Sequence, residues 1–254
     1  MKYVEPDDAR DLPGLRLALT AGVPAPYSMS AKAILDLKHV PYVAVAQRGA
    51  GENAELVAWT RHRNAPIAVY NDEAPRVGWL EILNLAERLG TGPALVPGDM
   101  GARMTMIGLC NELIGENGLV WHMRLVMLGL GGPERAAKEA LSNPMYAQYG
   151  YSEQARAKAL DAARLILDTF TEHVHAQRAA GSRYLIGDRL SALDVYWVYF
   201  SQLLRTLPHE QCPTPAGLRK AYDLGGEAIG GCDPILLEQR DWILQNHLPL
   251  PMDF

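Results

Sequence analysis

Cysteine is scarce in this chain, and the cysteines present cannot form a stabilising framework. The 254 residues include three of them, Cys110, Cys212 and Cys232, which are widely spaced and form no Cys-x-x-Cys pair. An odd number of distant cysteines argues against a disulfide scaffold and against a structural zinc site. The sequence therefore predicts reduced thiols, a cytoplasmic location and no metal centre.

The chain also lacks long apolar runs and any excess of positive charge. The longest apolar candidate, Gly118 to Leu130, is interrupted by His122 and Arg124, whereas a membrane helix needs about 20 consecutive apolar residues. The net charge is −5, with no basic stripe suited to a phosphate backbone. The acidic amino terminus has no apolar signal region. We expect neither a membrane nor a nucleic acid as a partner.

What the sequence does contain is a patterned first part of about ninety residues. Short strand patterns alternate with short helical patterns and with turn signals. The predicted strands are Leu15–Thr20, Val40–Val45, Pro66–Tyr70 and Pro75–Val77, and the predicted helices are Ser30–Lys38, Glu52–Trp59 and Trp79–Leu89. The order β-α-β-α-β-β-α indicates a small α/β domain.

The composition changes after this part. Gly90–Gly98 holds three glycines and two prolines in nine residues, which is typical of a linker. Strand patterns then disappear, and helical patterns cover residues 101–128, 152–180, 192–207 and 234–245. The sequence predicts an α/β domain over residues 1–90, a linker over 91–98 and an all-helical domain over 99–254.

One helix start in the second part is well specified. Ser191 and Asp194 have the spacing of a capping box, in which each side chain bonds the other residue's backbone amide, and Leu190 and Val195 occupy the flanking apolar positions. Because the residues that follow are strongly apolar, we expect this helix to lie in a domain core and its cap to serve folding.

These features together resemble the cytosolic glutathione transferases. The resemblance rests on the βαβαββα half, the linker, the helical half and the segment Gly187–Asp194, and it spans nearly the whole chain. It implies a thioredoxin-like domain followed by an all-helical domain. It also implies a cytoplasmic homodimeric transferase of detoxification, with glutathione as co-substrate and a small apolar electrophile as its second substrate.

By the same resemblance, the turn after the first strand holds the side chain that activates the glutathione thiol. A hydroxyl at a helix amino terminus suits this task because the helix end favours an anion. Ser28 is the first candidate, with Tyr27 and Ser30 as alternatives, and Ala25 excludes cysteine chemistry at its position. The serines also suit a helix cap, so a purely structural role remains open.

The glutathione-binding residues implied by the resemblance follow further along the chain. Asn64-Ala65-Pro66 resembles the segment before the third strand, whose cis proline lets the preceding residue pair its backbone with glutathione. Gly78-Trp79 occupies the place where the family carries Glu or Gln followed by Ser. This departure removes a partner for the γ-glutamyl ammonium, a role that Glu81 can take over one turn later.

Two further interpretations complete the sequence analysis. Glu112 and Glu116 are four residues apart in a predicted long helix, so they should share a face, bordering a cleft or simply facing solvent. The alternative to an enzyme is a non-catalytic binding or scaffolding protein of the same fold that has lost tripeptide binding.

Overall fold

The computed structural model describes residues 1–254, which divide into two compact units. The first unit comprises residues 1–96, 209–214 and 248–254, and the second comprises residues 97–208 and 215–247. The first division falls after Val96, inside the predicted linker. Two short segments of the predicted range 99–254 are therefore grouped with the first unit.

The first unit is built on a three-stranded sheet. Its strands are β1 (Leu15–Thr20), β2 (Tyr42–Gln47) and β3 (Ile67–Tyr70), in the order β2-β1-β3. In register, Ala18 lies opposite Val45 on parallel β2 and opposite Ile67 on antiparallel β3. All but the last residue of β1 are buried, as expected of a central strand covered on both faces.

The predicted fourth strand is wrong. Residues 75–77 contribute a single bridge, between Arg76 and Ala68. Pro75 has no backbone N–H to donate to a ladder, and the chain enters a helix at Trp79. Too few residues are left for a strand.

Four helices accompany this sheet: α1 (Pro6–Ala9), α2 (Pro26–Leu37), α3 (Ala54–Thr60) and α4 (Trp79–Leu89). The bounds of α4 agree with the prediction, whereas α1 was not predicted. Helix α2 begins at Pro26, four residues before the predicted start at Ser30. Proline fits the first helical position because its fixed φ is already helical and its missing N–H is not needed there. Ser28 and Tyr27 consequently lie in the first turn of α2.

A buried ion pair fixes the predicted linker to the first unit. The Lys38 Nζ is 2.9 Å from the Glu87 Oε2 and donates to the carbonyls of Gly92 and Pro93 at 2.9 and 3.0 Å. The Glu87 Oε1 accepts from the amide of Leu95 at 2.6 Å. The Lys38 side chain is 3% exposed. Despite its composition, this segment is held in one place.

The second unit is entirely helical, as predicted. Its α-helices are α5 (Met100–Ile114), α6 (Leu119–Leu128), α7 (Pro133–Ala140), α8 (Met145–Gln148), α9 (Glu153–Ala179), α10 (Ala192–Phe200), α11 (Ala216–Ala228) and α12 (Pro234–His247), and a 3₁₀ turn (Ser201–Leu203) follows α10. None of the protein's helices is long and apolar enough to span a membrane.

The predicted helix over residues 101–128 is two helices, α5 and α6. Between them Asn117 adopts a positive φ of 62°, and Glu116 lies in the connecting turn. The prediction that Glu112 and Glu116 share a helix face is therefore wrong. Gly115 is the C-cap of α5 and Gly118 is the N-cap of α6, and glycine is a poor helix former in a helix interior.

Helix α10 is buried along its whole length, and its start has the predicted cap. One carboxylate oxygen of Asp194 accepts from the Ser191 amide at 2.9 Å and from the Ser191 hydroxyl at 2.7 Å. The other oxygen accepts from the Leu185 amide at 2.8 Å. Asp194 is fully buried, so the cap also fastens the preceding loop to the helix.

Candidate functional site

Strand register brings the three predicted site segments to one edge of the sheet in the first unit. Extending the β1–β3 pairing beyond Ala18 and Ile67 sets Thr20 opposite Ala65. Extending the Ala68–Arg76 bridge in the same way sets Pro66 opposite Gly78. The turn after β1, the Ala65–Pro66 segment and the start of α4 therefore meet at this edge.

The amino terminus of α2 reaches this edge without a side-chain cap. Its N-cap residue is Ala25, whose methyl group cannot accept a hydrogen bond, and Pro26 follows at the first helical position. The Met29 amide is bonded to the Ala25 carbonyl at 2.9 Å, which leaves the preceding amides of the first turn outside the helical ladder. Such a helix end favours an anion, because its N–H groups and its dipole point outward.

The structure turns the Ser28 hydroxyl inward. Ser28 is 2% exposed, and its Oγ accepts from the Thr20 amide at 3.1 Å and lies 3.3 Å from the Thr20 Oγ1. Because the Thr20 hydroxyl donates to the Gln47 Oε1 at 2.9 Å, the Ser28 proton is directed to Thr20. These contacts give Ser28 a role in joining α2 to β1. They do not support Ser28 as the first candidate for the activating hydroxyl.

Gln47 extends this network to the loop that precedes the proline segment. Its side-chain amide donates to the carbonyls of Arg48 at 2.9 Å and Arg63 at 3.3 Å, and its exposed fraction is 3%. Asn53 supports the loop after β2 by donating to the Arg48 carbonyl at 3.0 Å and accepting from its amide at 2.9 Å, and it reaches the Arg63 carbonyl at 3.5 Å. Sequence reasoning missed both residues. The polar Gln47 at the end of an otherwise apolar strand was the available signal.

The other two candidate hydroxyls differ in exposure. The Ser30 Oγ donates to the Tyr27 carbonyl at 3.1 Å, and Ser30 is 2% exposed. Tyr27 is partly exposed in the first turn of α2. Of the three predicted hydroxyl-bearing residues, Tyr27 alone is not buried.

The Ala65–Pro66 peptide bond is cis, as the sequence analysis predicted. Pro66 is buried, Ala65 is partly exposed and Asn64 is exposed. The chain then enters β3 at Ile67. The backbone of Ala65 is thus at the surface of the sheet edge, next to the end of β1.

At the start of α4, Glu81 takes the place of a capping side chain. Gly78 is the N-cap residue, and the Glu81 Oε2 accepts from the amides of Gly78 at 2.9 Å and Val77 at 3.2 Å. Gly78 and Trp79 are both partly exposed. The Glu81 carboxylate satisfies these two amides and adds a negative charge to the helix end, which makes the end less favourable for a ligand carboxylate and more favourable for an ammonium.

The structure brings together no group of three or more His, Cys, Asp or Glu side chains able to hold a metal ion. Cys110 and Cys212 are buried and Cys232 is partly exposed, and all three are free thiols. All three lie outside residues 1–96, in which the site segments are found.

No known family profile matches this sequence. No curated protein matches it by sequence either. Comparison of structures does find matches. A glutathione transferase family member from Pseudomonas fluorescens Pf-5, determined with two glutathione bound, superposes with a TM-score of 0.60 at 15% identity, over 92% of this chain and 89% of that one.

Two further structures extend this likeness. A Methylobacterium radiotolerans glutathione S-transferase in complex with glutathione sulfonate gives a TM-score of 0.57 at 15% identity, over 94% of this chain and 97% of that one. Ure2p in complex with glutathione gives a TM-score of 0.54 at 12% identity, over 90% of this chain and 98% of that one. At these identities the comparisons show the fold, which is that of the glutathione transferases: a thioredoxin-like part followed by a helical part.

Proposed function

We propose that this protein binds glutathione at the sheet edge of its first unit and activates the thiol for attack on a small apolar electrophile. The observation that carries the proposal is the convergence of an uncapped helix start, a cis Ala65–Pro66 bond and the start of α4 at one edge. Several structural neighbours are glutathione transferases with glutathione or a derivative bound. Asn64, Ala65, Pro66, Gly78 and Trp79 are the proposed binding residues.

The activating hydroxyl in this proposal is that of Tyr27. A thiol with a pKa near 8.5 is mostly protonated at pH 7. Lowering that pKa by two units takes about 2.7 kcal/mol, which one hydrogen bond and a helix end together can supply. Ser28 and Ser30 direct their hydroxyls to Thr20 and to the Tyr27 carbonyl. Tyr27 is the candidate that is partly exposed at the helix start.

Glu81 completes the proposed tripeptide site. Its Oε2 is bonded to the Val77 and Gly78 amides, which holds the carboxylate at the amino end of α4. A carboxylate held there attracts the γ-glutamyl ammonium. The family instead uses its Glu or Gln and Ser side chains, so this chain would bind the same group with a different residue.

The protein's other expected attributes belong to the same proposal. We infer a cytoplasmic homodimer that conjugates glutathione to an apolar electrophile in detoxification. The free thiols and the likeness to glutathione transferases support this inference. The fold alone does not define the electrophile, because one fold hosts many chemistries.

Titration calorimetry with glutathione, paired with a conjugation assay on a chloronitroarene, tests the proposal. We expect millimolar or tighter binding and conjugation above the uncatalysed rate. Glu81→Gln should weaken glutathione binding by about tenfold, the usual effect of losing one charge-assisted contact. Glu55→Gln, an exposed change on α3, is the matched control. Absence of binding heat would contradict the proposal.

A second function is favoured by one specific observation. Gly78-Trp79 offers no acidic, amide or hydroxyl side chain where the family uses them, which suits a protein that has kept the fold without catalysis. Ure2p, in its complex with glutathione, has the same fold. Absence of both binding heat with glutathione and conjugation of any tested electrophile would favour this binding or scaffolding protein, which has lost tripeptide binding, over the enzyme.

A further inference from the structure

A half-open cavity lies at the surface of the second unit, and none of the residues of the proposed glutathione site lines it. Its volume is about 630 Å³, within the range of about 300–1,000 Å³ typical of small-molecule sites. The cavity is formed where the chain after α10, the last turn of α11, the following loop and the first part of α12 meet. Its lining residues are Leu204, Arg205, Asp223, Gly226, Glu227, Gly230, Gly231, Cys232 and Leu237.

Glycines determine the shape of this cavity. A Cβ at Gly226 would lie 1.9 Å from the Leu204 carbonyl oxygen, so glycine is required for α11 to approach the chain that follows the 3₁₀ turn after α10. Gly230 and Gly231 have φ values of 89° and 77°. At the end of α11, the Gly230 amide donates to the Glu227 carbonyl at 3.0 Å and the Gly231 amide donates to the Gly226 carbonyl at 2.9 Å. The wall is therefore set by backbone geometry that other residues rarely adopt.

The lining carries two carboxylates and one guanidinium. Asp223 is fixed, because its Oδ1 accepts from the Thr206 amide at 3.0 Å and from the Thr206 hydroxyl at 2.9 Å. Glu227 and Arg205 are exposed, and neither side chain forms an ion pair or a hydrogen bond within the protein. The carboxyl end of α11 adds partial negative charge beside Glu227. Both signs of charge are thus available to a ligand.

Apolar side chains supply the remaining contacts. Leu204 is 5% exposed and Leu237 is partly exposed, and both line the same cavity. A ligand that satisfies this lining carries an ammonium for Glu227 and Asp223, a carboxylate for Arg205 and an apolar portion for the leucines. We propose that the cavity binds a zwitterionic small molecule of the amino-acid or short-peptide class.

Cys232 provides a reporter for occupancy. It lines the cavity and is partly exposed, whereas Cys110 and Cys212 are fully buried. Alkylation by iodoacetamide, followed by peptide mass spectrometry, therefore measures the alkylation rate of Cys232 separately from that of the other two cysteines. A bound ligand should slow the alkylation of Cys232 several-fold.

The test uses the full-length protein and the dipeptide leucyl-glycine, with binding also measured by calorimetry. We expect leucyl-glycine to protect Cys232, and N-acetyl-leucyl-glycine and leucyl-glycinamide, which lack the ammonium and the carboxylate, to protect it poorly. Glu227→Gln and Arg205→Gln should each weaken dipeptide binding by about tenfold. Glu238→Gln, an exposed change on α12 outside the cavity, should leave it unchanged.

Two controls separate this site from the proposed glutathione site and from a simple cation site. Tyr27→Phe should bind leucyl-glycine as the parent does, whether or not the parent conjugates glutathione. Protection by spermidine but not by the dipeptide would overturn the proposal in favour of a cation site. Equal protection in the parent and in Glu227→Gln, or no protection and no binding heat at millimolar dipeptide, would also overturn it.

Discussion

A phenol at a helix start can lower the pKa of a bound thiol by donating one hydrogen bond to the thiolate. Tyr27 has this place in the proposed site, and Ser28 does not, because the Ser28 hydroxyl is buried against Thr20. The two residues are adjacent in sequence yet face different surroundings. Their variants should therefore fail in different ways.

Tyr27→Phe should slow glutathione conjugation mainly at low pH. Losing the donor raises the pKa of the bound thiol from about 6.5 toward 8.5, so a shift of one to two units reduces the thiolate fraction at pH 7 by about three- to twenty-five-fold. The loss should shrink as the pH approaches 9, where the thiol ionises without help. A pH–rate profile with a chloronitroarene measures this, and calorimetry should show nearly unchanged glutathione affinity.

Ser28→Ala is the matched comparison for that profile. We expect it to keep the parent's pH dependence and to melt at a lower temperature, because the Thr20 amide loses its acceptor. A profile in which Ser28→Ala loses activity at neutral pH while Tyr27→Phe matches the parent would assign activation to the serine, as the sequence first indicated.

At the scale of single elements, the start of α10 depends on one buried carboxylate. Asp194→Ala leaves the amides of Ser191 and Leu185 without an acceptor. Unsatisfied buried donors cost about 1–3 kcal/mol, and each kcal/mol lowers the melting temperature of a chain this long by roughly 2–4 °C. We expect a lower melting midpoint by calorimetry with glutathione affinity retained. An unchanged midpoint would mean that the cap contributes nothing to stability.

The same carboxyl group makes stability depend on pH. Burial raises the Asp194 pKa from 3.8 to about 6, against the lowering effect of its hydrogen bonds. The folded state therefore binds this proton more tightly than the unfolded state, and the resulting stabilisation is present below pH 4 and lost as the pH rises to about 6. Urea unfolding of the parent and of Asp194→Asn should show a smaller decrease between pH 4 and 6 in the variant. Parallel curves would contradict the raised pKa.

The buried pair of Lys38 and Glu87 stabilises the segment after α4. Glu87→Ala leaves the ammonium buried with its two carbonyl acceptors, and because the Glu87 side chain is 22% exposed, the expected destabilisation is below the about 3–5 kcal/mol of a fully buried pair. Asp7→Asn, in the exposed pair with Arg10, should change stability by about 1 kcal/mol or less. Urea unfolding compares the two variants. Similar small effects in both would show that the pair does not secure the linker.

For the whole molecule, the homodimer is the remaining expectation to test. Light scattering at micromolar concentration should give twice the chain mass of 27.9 kDa. Repeating the measurement at high salt and at lower concentration distinguishes a stable dimer from weak self-association. A measured mass equal to that of a single chain under all of these conditions would contradict the proposed dimer.

The sequence was informative wherever local patterns decide the structure. Strand β1 and helix α4 have their predicted bounds, and the Ser191–Asp194 cap forms as its spacing indicates. It was less informative where tertiary contacts decide. Whether the Ser28 hydroxyl faces solvent depends on Thr20 and Gln47, which lie on two strands. The spacing of residues within α2 gives no information about these contacts.

The predicted element boundaries are wrong where two local sequence patterns compete. The pattern of residues 75–77 suits a strand, but helix α4 starts too soon for one to form. Similarly, apolar residues continue from α5 into α6, so the pattern hides the break marked by Gly115 and Gly118. The composition of residues 90–98 indicated a linker, but it could not show that Lys38 and Glu87 hold this segment.

The division of the chain into units has a consequence for its synthesis. Residues 1–96 leave the ribosome first, yet their unit also includes residues 209–214 and 248–254, and the Met252 amide bonds the Gln211 carbonyl at 2.8 Å. The first unit to be translated is thus the last to be completed. While the helical unit is being synthesised, the surface of residues 1–96 that residues 209–214 and 248–254 later complete stays exposed. Chaperones bind exposed surface of this kind, and it aggregates when translation stalls.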